Sequence, residues 1–202
     1  MTKSGKKNKQ AGAVSGKMRY KVKPWEWTAI GGVVMLAGWF AWQWQANKDL
    51  ETAFLEHAHS GQATLEHVKS GHDAGGGHIQ PGQSAGYSER FPTSGPHDQK
   101  WIDPGVYDTV QPTAKLVHSV EHGMVVIYYD APPPEAMTML KEWAGLYVGP
   151  WSGVVLTKAP GIGEEVVLTA WNQTLRLNQF DAASAAAFID RFRGRGPEHP
   201  VR

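Results

Sequence analysis

A run of eighteen residues without a charge, Trp27-Thr-Ala-Ile-Gly-Gly-Val-Val-Met-Leu-Ala-Gly-Trp-Phe-Ala-Trp-Gln-Trp44, constrains this chain more than any other feature. As a helix it reaches roughly 27 Å, enough to cross the hydrocarbon core of a bilayer. Trp25 and Trp27 stand at one end and Trp39, Trp42 and Trp44 at the other, as in an aromatic belt at a membrane interface. A buried core helix fits poorly with five tryptophans and eight preceding Lys/Arg residues. A cleaved signal peptide fits poorly too, because Gln45-Ala46-Asn47-Lys48 lacks a small-x-small cleavage site. The reading is a single transmembrane helix over 25–45 that acts as an uncleaved signal anchor. Lys and Arg stay on the cytoplasmic side. Residues 1–24 then form a disordered basic cytoplasmic tail, and everything from about residue 46 onward faces the periplasm or the outside. The lipid bilayer is the first expected partner.

Up to Trp27 the chain has eight Lys/Arg against one acid, and beyond it twelve against eighteen. An acidic body of this kind argues against nucleic-acid binding. There are no cysteines, which removes disulfides, thiolate metal sites and cysteine nucleophiles. There are nine histidines, and eight lie between His57 and His122.

Residues 46–85 read as a helical spacer broken at Gly61, followed by a Gly-rich linker around Gly75-Gly76-Gly77 and Pro81-Gly82. His57, His59, His67 and His72 sit in two imperfect copies of a Leu-Glu-His element, a weak metal-catching tract or simply a solvated spacer. The folded domain is expected over 86–202. Its first part, up to about residue 115, is rich in Pro and Gly and reads as ordered loops. The apolar stretch from Met124 to Tyr129 predicts a strand buried on both faces. Apolar spacing predicts a helix from Glu135 to Tyr147. Strands are expected at 153–157, 165–171 and 175–177, with a tight turn at Asn172-Gln173. Asp181 is expected to cap an Ala-rich last helix, and 194–200 to be terminal coil. Loops, strand, helix, strand, strand, helix gives an α+β fold: a small mixed or antiparallel sheet with helices on one face, for which a ferredoxin-like topology is one candidate.

The chemistry concentrates in Leu116-Val-His-Ser-Val-Glu-His-Gly-Met124. His118 and His122 are four residues apart and share a face on a helix or a strand alike. Phe91-Pro-Thr-Ser-Gly-Pro-His97 is a stiff turn that presents His97. His97, His118 and His122, with His78 as a fourth, are candidate ligands for a zinc or copper ion, since imidazole suits both. On a strand Glu121 would face away from His122, which gives it a supporting or structural role. Met124 would share the face of His122 there and add an optional soft ligand that favours Cu(I). The competing reading is structural, with each imidazole hydrogen-bonding backbone carbonyls to hold the loops. No Gly-x-Ser-x-Gly, phosphate loop or zinc-protease His-Glu-x-x-His occurs, and no serine acquires a triad, so no enzyme is expected.

Thr93-Ser-Gly-Pro-His97, Gly105-x-Tyr107 and His118-Ser-Val-Glu-His-Gly123 together resemble the bacterial family known as domain of unknown function 3105. Further matches are His78-Ile79, Ala170-Trp171, Phe188-Ile189 and Gly196-Pro197-Glu198, so the resemblance covers about 77–198. Phe91 stands where the family usually has Pro. The resemblance implies an extracytoplasmic domain behind one anchor in the bacterial inner membrane, and it singles out His78, His97, His118 and His122. It implies no activity. Two functions are carried forward. One is a membrane-anchored metal-binding module, with copper as its most concrete version. The other is an accessory subunit of a larger membrane complex, electron-transfer or photosynthetic, in which Gly31, Gly32 and Gly38 let partner helices approach.

Overall fold

The computed structural model describes residues 23–80 and 82–202. The basic tail expected over 1–24 therefore lies almost wholly outside the described residues. So do the side chains of 24–31 and 33, with Trp25, Trp27 and Gly31 among them. The chain divides into two units, residues 1–43 and 44–202.

Helix α1 runs from Pro24 to Ser60 and contains the stretch expected to span a membrane. Its residues 34–49 are exposed, with Met35, Phe40, Trp42 and Trp44 all prominent. Among the described residues no helix is long and apolar enough to cross a membrane. The indoles carry a polar N–H each, which makes a tryptophan-rich run less apolar than its lack of charge suggests.

The C-terminal end of α1 belongs to the second unit. Phe54 and Ala58 are buried in its main core, with Phe54 edge-on to Trp143 at 5.4 Å and to Tyr147 at 5.0 Å. What composition suggests is a spacer is here part of the domain, because one short face of the helix carries the apolar anchors. Gly61 ends the helix, as its sequence position predicts. A Cβ there would sit 2.0 Å from the Ala183 carbonyl oxygen, so only glycine allows this approach. A 3-10 helix follows at Gln62–His67.

Among the described residues the sheet has six strands: β1 (Lys69–Ser70), β2 (Gly105–Tyr107), β3 (Val125–Tyr129), β4 (Val154–Lys158), β5 (Val166–Ala170) and β6 (Gln173–Leu177). Their spatial order is β1-β6-β5-β3-β4-β2. β3 pairs parallel with β4 and antiparallel with β5, and β2 joins β4 in parallel. The α+β class and the mixed sheet are as expected. A ferredoxin-like topology is not, because that sheet is antiparallel, whereas two of the five strand pairs here are parallel.

Helices cover both faces rather than one. Val125, Ile127 and Tyr129 face α3 (Pro134–Leu146), α4 (Ala182–Phe192) and the end of α1, through Leu140, Trp143, Phe188, Ile189 and Phe54. Val126 and Tyr128 point the other way, toward Leu116 and Val120 of α2 (Thr113–Glu121) and toward Phe91. Alternate residues of a strand face opposite sides, so an uninterrupted apolar run is what a sheet covered twice requires. Asp181 caps α4, its Oδ1 accepting from Ser184 N at 2.7 Å. Asn172 turns β5 into β6 with φ at 57°, in the left-handed region that asparagine tolerates.

Candidate metal centre

The site grows from α2. Leu116 and Val120 turn into the second core. Two residues on from each, His118 and His122 face away from the sheet into the loop layer. Because the element is a helix, residues 118, 121 and 122 share one face, and Glu121 joins the histidines instead of opposing them. The helix also takes Met124 out of reach: it follows the turn and is fully buried in the apolar core beside Phe91, Leu116 and Val126.

Three loops close over that helix face. The first carries His97. The Gly-rich segment expected as a linker lies along it, with Gly95 N donating to Gly75 O at 2.7 Å, His97 N to Gly77 O at 2.9 Å and Ile79 N to His97 O at 2.8 Å. His78 and His97 thereby face each other in a parallel bridge. Gly76 lies close against Glu121: a Cβ there would be 2.5 Å from its Oε1, the movable end of that side chain. The second loop, 98–103, is fastened by Ser119, whose Oγ accepts from Ile102 N and donates to Ile102 O, both at 2.9 Å. The third is the C-terminal tail. Gly194 N donates to Gly123 O at 2.8 Å, and the backbones of Gly123 and Gly196 touch so closely that a Cβ on Gly196 would lie 2.2 Å from Gly123 N. This contact delivers Glu198.

The four histidines converge. Ring centroids are 4.8 Å apart for His97 and His118, 4.7 Å for His118 and His122, 5.1 Å for His78 and His118, and 5.3 Å for His78 and His97. His97, His118 and His122 are buried and His78 is exposed. Two three-donor groups have donor atoms within 4.8 Å of one another: His78, His97, His118, and His118, His122, Glu198. Ligands of one tetrahedral zinc lie about 3.4 Å apart, so the donors of either group stand close enough to gather around one ion. Trp151 stacks on His122 at 4.0 Å and Trp101 lies 4.5 Å from the same ring.

Hydrogen bonding fixes the protons. His97 Nδ1 lies 2.9 Å from Gly95 O, His118 Nδ1 2.7 Å from Asp98 O, and His122 Nδ1 a longer 3.3 Å from Pro150 O. A carbonyl oxygen only accepts, so each Nδ1 carries a hydrogen, and a ring in its neutral form has its lone pair on Nε2. This is how ligating imidazoles are oriented from behind. Burial lowers the pKa of His118, and the neighbouring histidines lower it further against the Asp98 hydrogen bond. Burial also lowers that of His122, outweighing the Glu198 and Glu121 carboxylates, which act the other way. Both rings are therefore held neutral.

The Nε2 lone pairs meet further acceptors. His97 Nε2 is 2.9 Å from Glu121 Oε2, yet in a direction that makes no hydrogen bond, and this fully buried nitrogen has no other partner. His122 Nε2 is 3.0 Å and His118 Nε2 3.9 Å from Glu198 Oε2. An imidazole nitrogen and a carboxylate oxygen at these distances are satisfied by a positive charge, either a proton on the ring or a metal ion bound by both groups.

All four selected histidines and Glu121 thus meet, while Met124 stands apart in the core. Glu198 is a residue that spacing does not reveal. It lies in a tail without periodicity, and only its place in the matched Gly196-Pro197-Glu198 element marks it. His57, His59, His67 and His72 belong to neither donor group. The two serines beside these histidines spend their hydroxyls on the backbone: Ser94 Oγ accepts from Ala74 N and donates to His72 O, and Ser119 Oγ is bonded to Ile102. A family model described as a protein of unknown function, DUF3105, matches residues 78–202. No curated protein and no solved structure matches the chain.

Proposed function

The chain belongs to the DUF3105 family of proteins of unknown function, and on that footing we propose that it is a binding module, not an enzyme, for a divalent first-row metal ion held by imidazole and carboxylate. The observation that carries this reading is the buried Nε2 of His97, without a hydrogen-bond partner, 2.9 Å from Glu121 Oε2 within a cluster of pre-oriented imidazoles. Nitrogen and oxygen donors suit zinc and copper(II). Copper(I) loses the thioether that would favour it, since Met124 is a core residue.

The module is anchored at the bacterial inner membrane by the tryptophan-rich part of α1, with the N-terminus cytoplasmic and the metal centre periplasmic. Supporting this are the exposed Val34, Leu36, Phe40 and Trp42 and the eight basic residues up to Trp27. Those same exposed residues favour a second reading, in which the helix packs against partner subunits of a larger membrane complex and the histidines serve as scaffold.

Metal content separates the two. Purified without a His tag and offered zinc or copper, the protein should carry about one ion per chain by mass spectrometry, and a His118→Ala/His122→Ala variant should carry none while keeping its helical content. A wild-type chain that retains no metal, with a variant that melts early, would leave only the scaffold reading.

A further inference from the structure

The five donors do not form one shell. They fall into two sets that meet at His118, one completed by His78 and His97 and the other by His122 and Glu198. His118 Nδ1 is committed to Asp98 O at 2.7 Å, so His118 offers a single lone pair. It cannot serve two ions at once through that atom. Each set consists of two buried imidazoles and one exposed third donor. The exposed donors come from different walls, His78 from the segment clamped on residues 95–97 and Glu198 from the tail clamped on Gly123. The sets also differ in charge, one all imidazole and the other containing a carboxylate.

Building on the metal-binding reading, we propose that a single divalent ion occupies two alternative positions that share His118, and that it passes between an opening at Glu198 and an opening at His78. His97 completes the first position on one side, where its Nε2 is fully buried and has no hydrogen-bond partner. His122, flanked by Trp101 and Trp151, completes the second. Arrangement as a transfer centre explains why donors exceed the four that one tetrahedral ion uses.

The test uses cobalt(II) on the full-length chain in mild detergent, with affinity, stoichiometry and the visible absorption spectrum as readouts. His78→Ala and Glu198→Gln change exposed donors, so both variants should fold. Wild type is expected to bind one cobalt per chain. Each single variant keeps one cobalt with affinity reduced only about two- to tenfold, since the other position survives. The two single variants shift the absorption bands differently, the Glu198→Gln ion being held by three imidazoles and no carboxylate. The double variant leaves neither set complete and loses at least about 100-fold, well beyond the product of the single losses. Two cobalt ions per chain, or a double loss equal to that product, would overturn the shared-position scheme while leaving the metal site standing. A wild-type chain that binds no cobalt would overturn both.

Discussion

His97 Nε2 and Glu121 Oε2 stand 2.9 Å apart with no hydrogen bond between them, and His97 already spends its Nδ1 hydrogen on Gly95 O. With the ring in its neutral form these are two acceptors held in contact by the fold, a cost to the metal-free protein and an asset to the loaded one. Glu121→Gln should therefore act in opposite directions. After a small rotation of the side chain its amide donates to a neutral His97 Nε2 and stabilises the metal-free protein by about 1 kcal/mol. Loss of the carboxylate weakens metal binding about 10- to 100-fold. Thermal melts in chelator and zinc titrations measure the two effects, and a Gln variant less stable than wild type in chelator would contradict the contact described.

The tail's position rests on two glycines. Gly196→Ala places a methyl 2.2 Å from Glu121 O and Gly123 N, both rigid backbone atoms. It should displace the tail, draw Glu198 from His122 and destabilise the domain by about 1–3 kcal/mol. Gly76→Ala meets only the movable Glu121 carboxylate. It should leave stability within about 0.5 kcal/mol and still weaken metal binding. Chemical denaturation beside zinc titration checks the contrast.

Acidification should destabilise the metal-free domain. His118 and His122 have lowered pKa values in the fold, first through burial. Just below the ordinary imidazole value of about 6.5 the unfolded chain binds more protons than the native one, so stability is full above that pH and falls as pH drops through the window beneath it. Urea unfolding at pH 7.5 and pH 5.5 in chelator should show the midpoint falling with pH. A midpoint that rises on acidification would mean the rings are held charged.

Much of the centre is legible in the sequence because a four-residue spacing keeps His118 and His122 on one face in any regular structure. The same tolerance hides the choice between helix and strand, and with it the placing of Glu121 and Met124. Glycine misleads at 75–77. Composition reads it as flexibility, whereas Gly76 is there for close approach to Glu121. Glu198 is invisible to periodicity, since its position depends on the backbone contact between Gly123 and Gly196. The central strand is legible because a run from Val125 to Tyr129 can only be covered on both sides, but where each helix lies depends on side chains far apart in the chain.

Phe54 tests the reach of the domain. It is fully buried between Trp143 and Tyr147. Phe54→Ala should cost about 3–5 kcal/mol. A fragment starting at residue 62 should be similarly weakened against one starting at 46, as read by denaturant midpoints. Equal stability of the two fragments would return residues 46–61 to the role of a spacer.

The most direct measurement is anomalous diffraction at the zinc edge from crystals of the zinc-loaded domain, grown without a His tag. The expected result is a strong peak bonded to His118 Nε2, together with His97 and His78 or with His122 and Glu198. A map with no peak among these side chains, or with zinc only on the exposed histidines of residues 57–72, would contradict the metal centre.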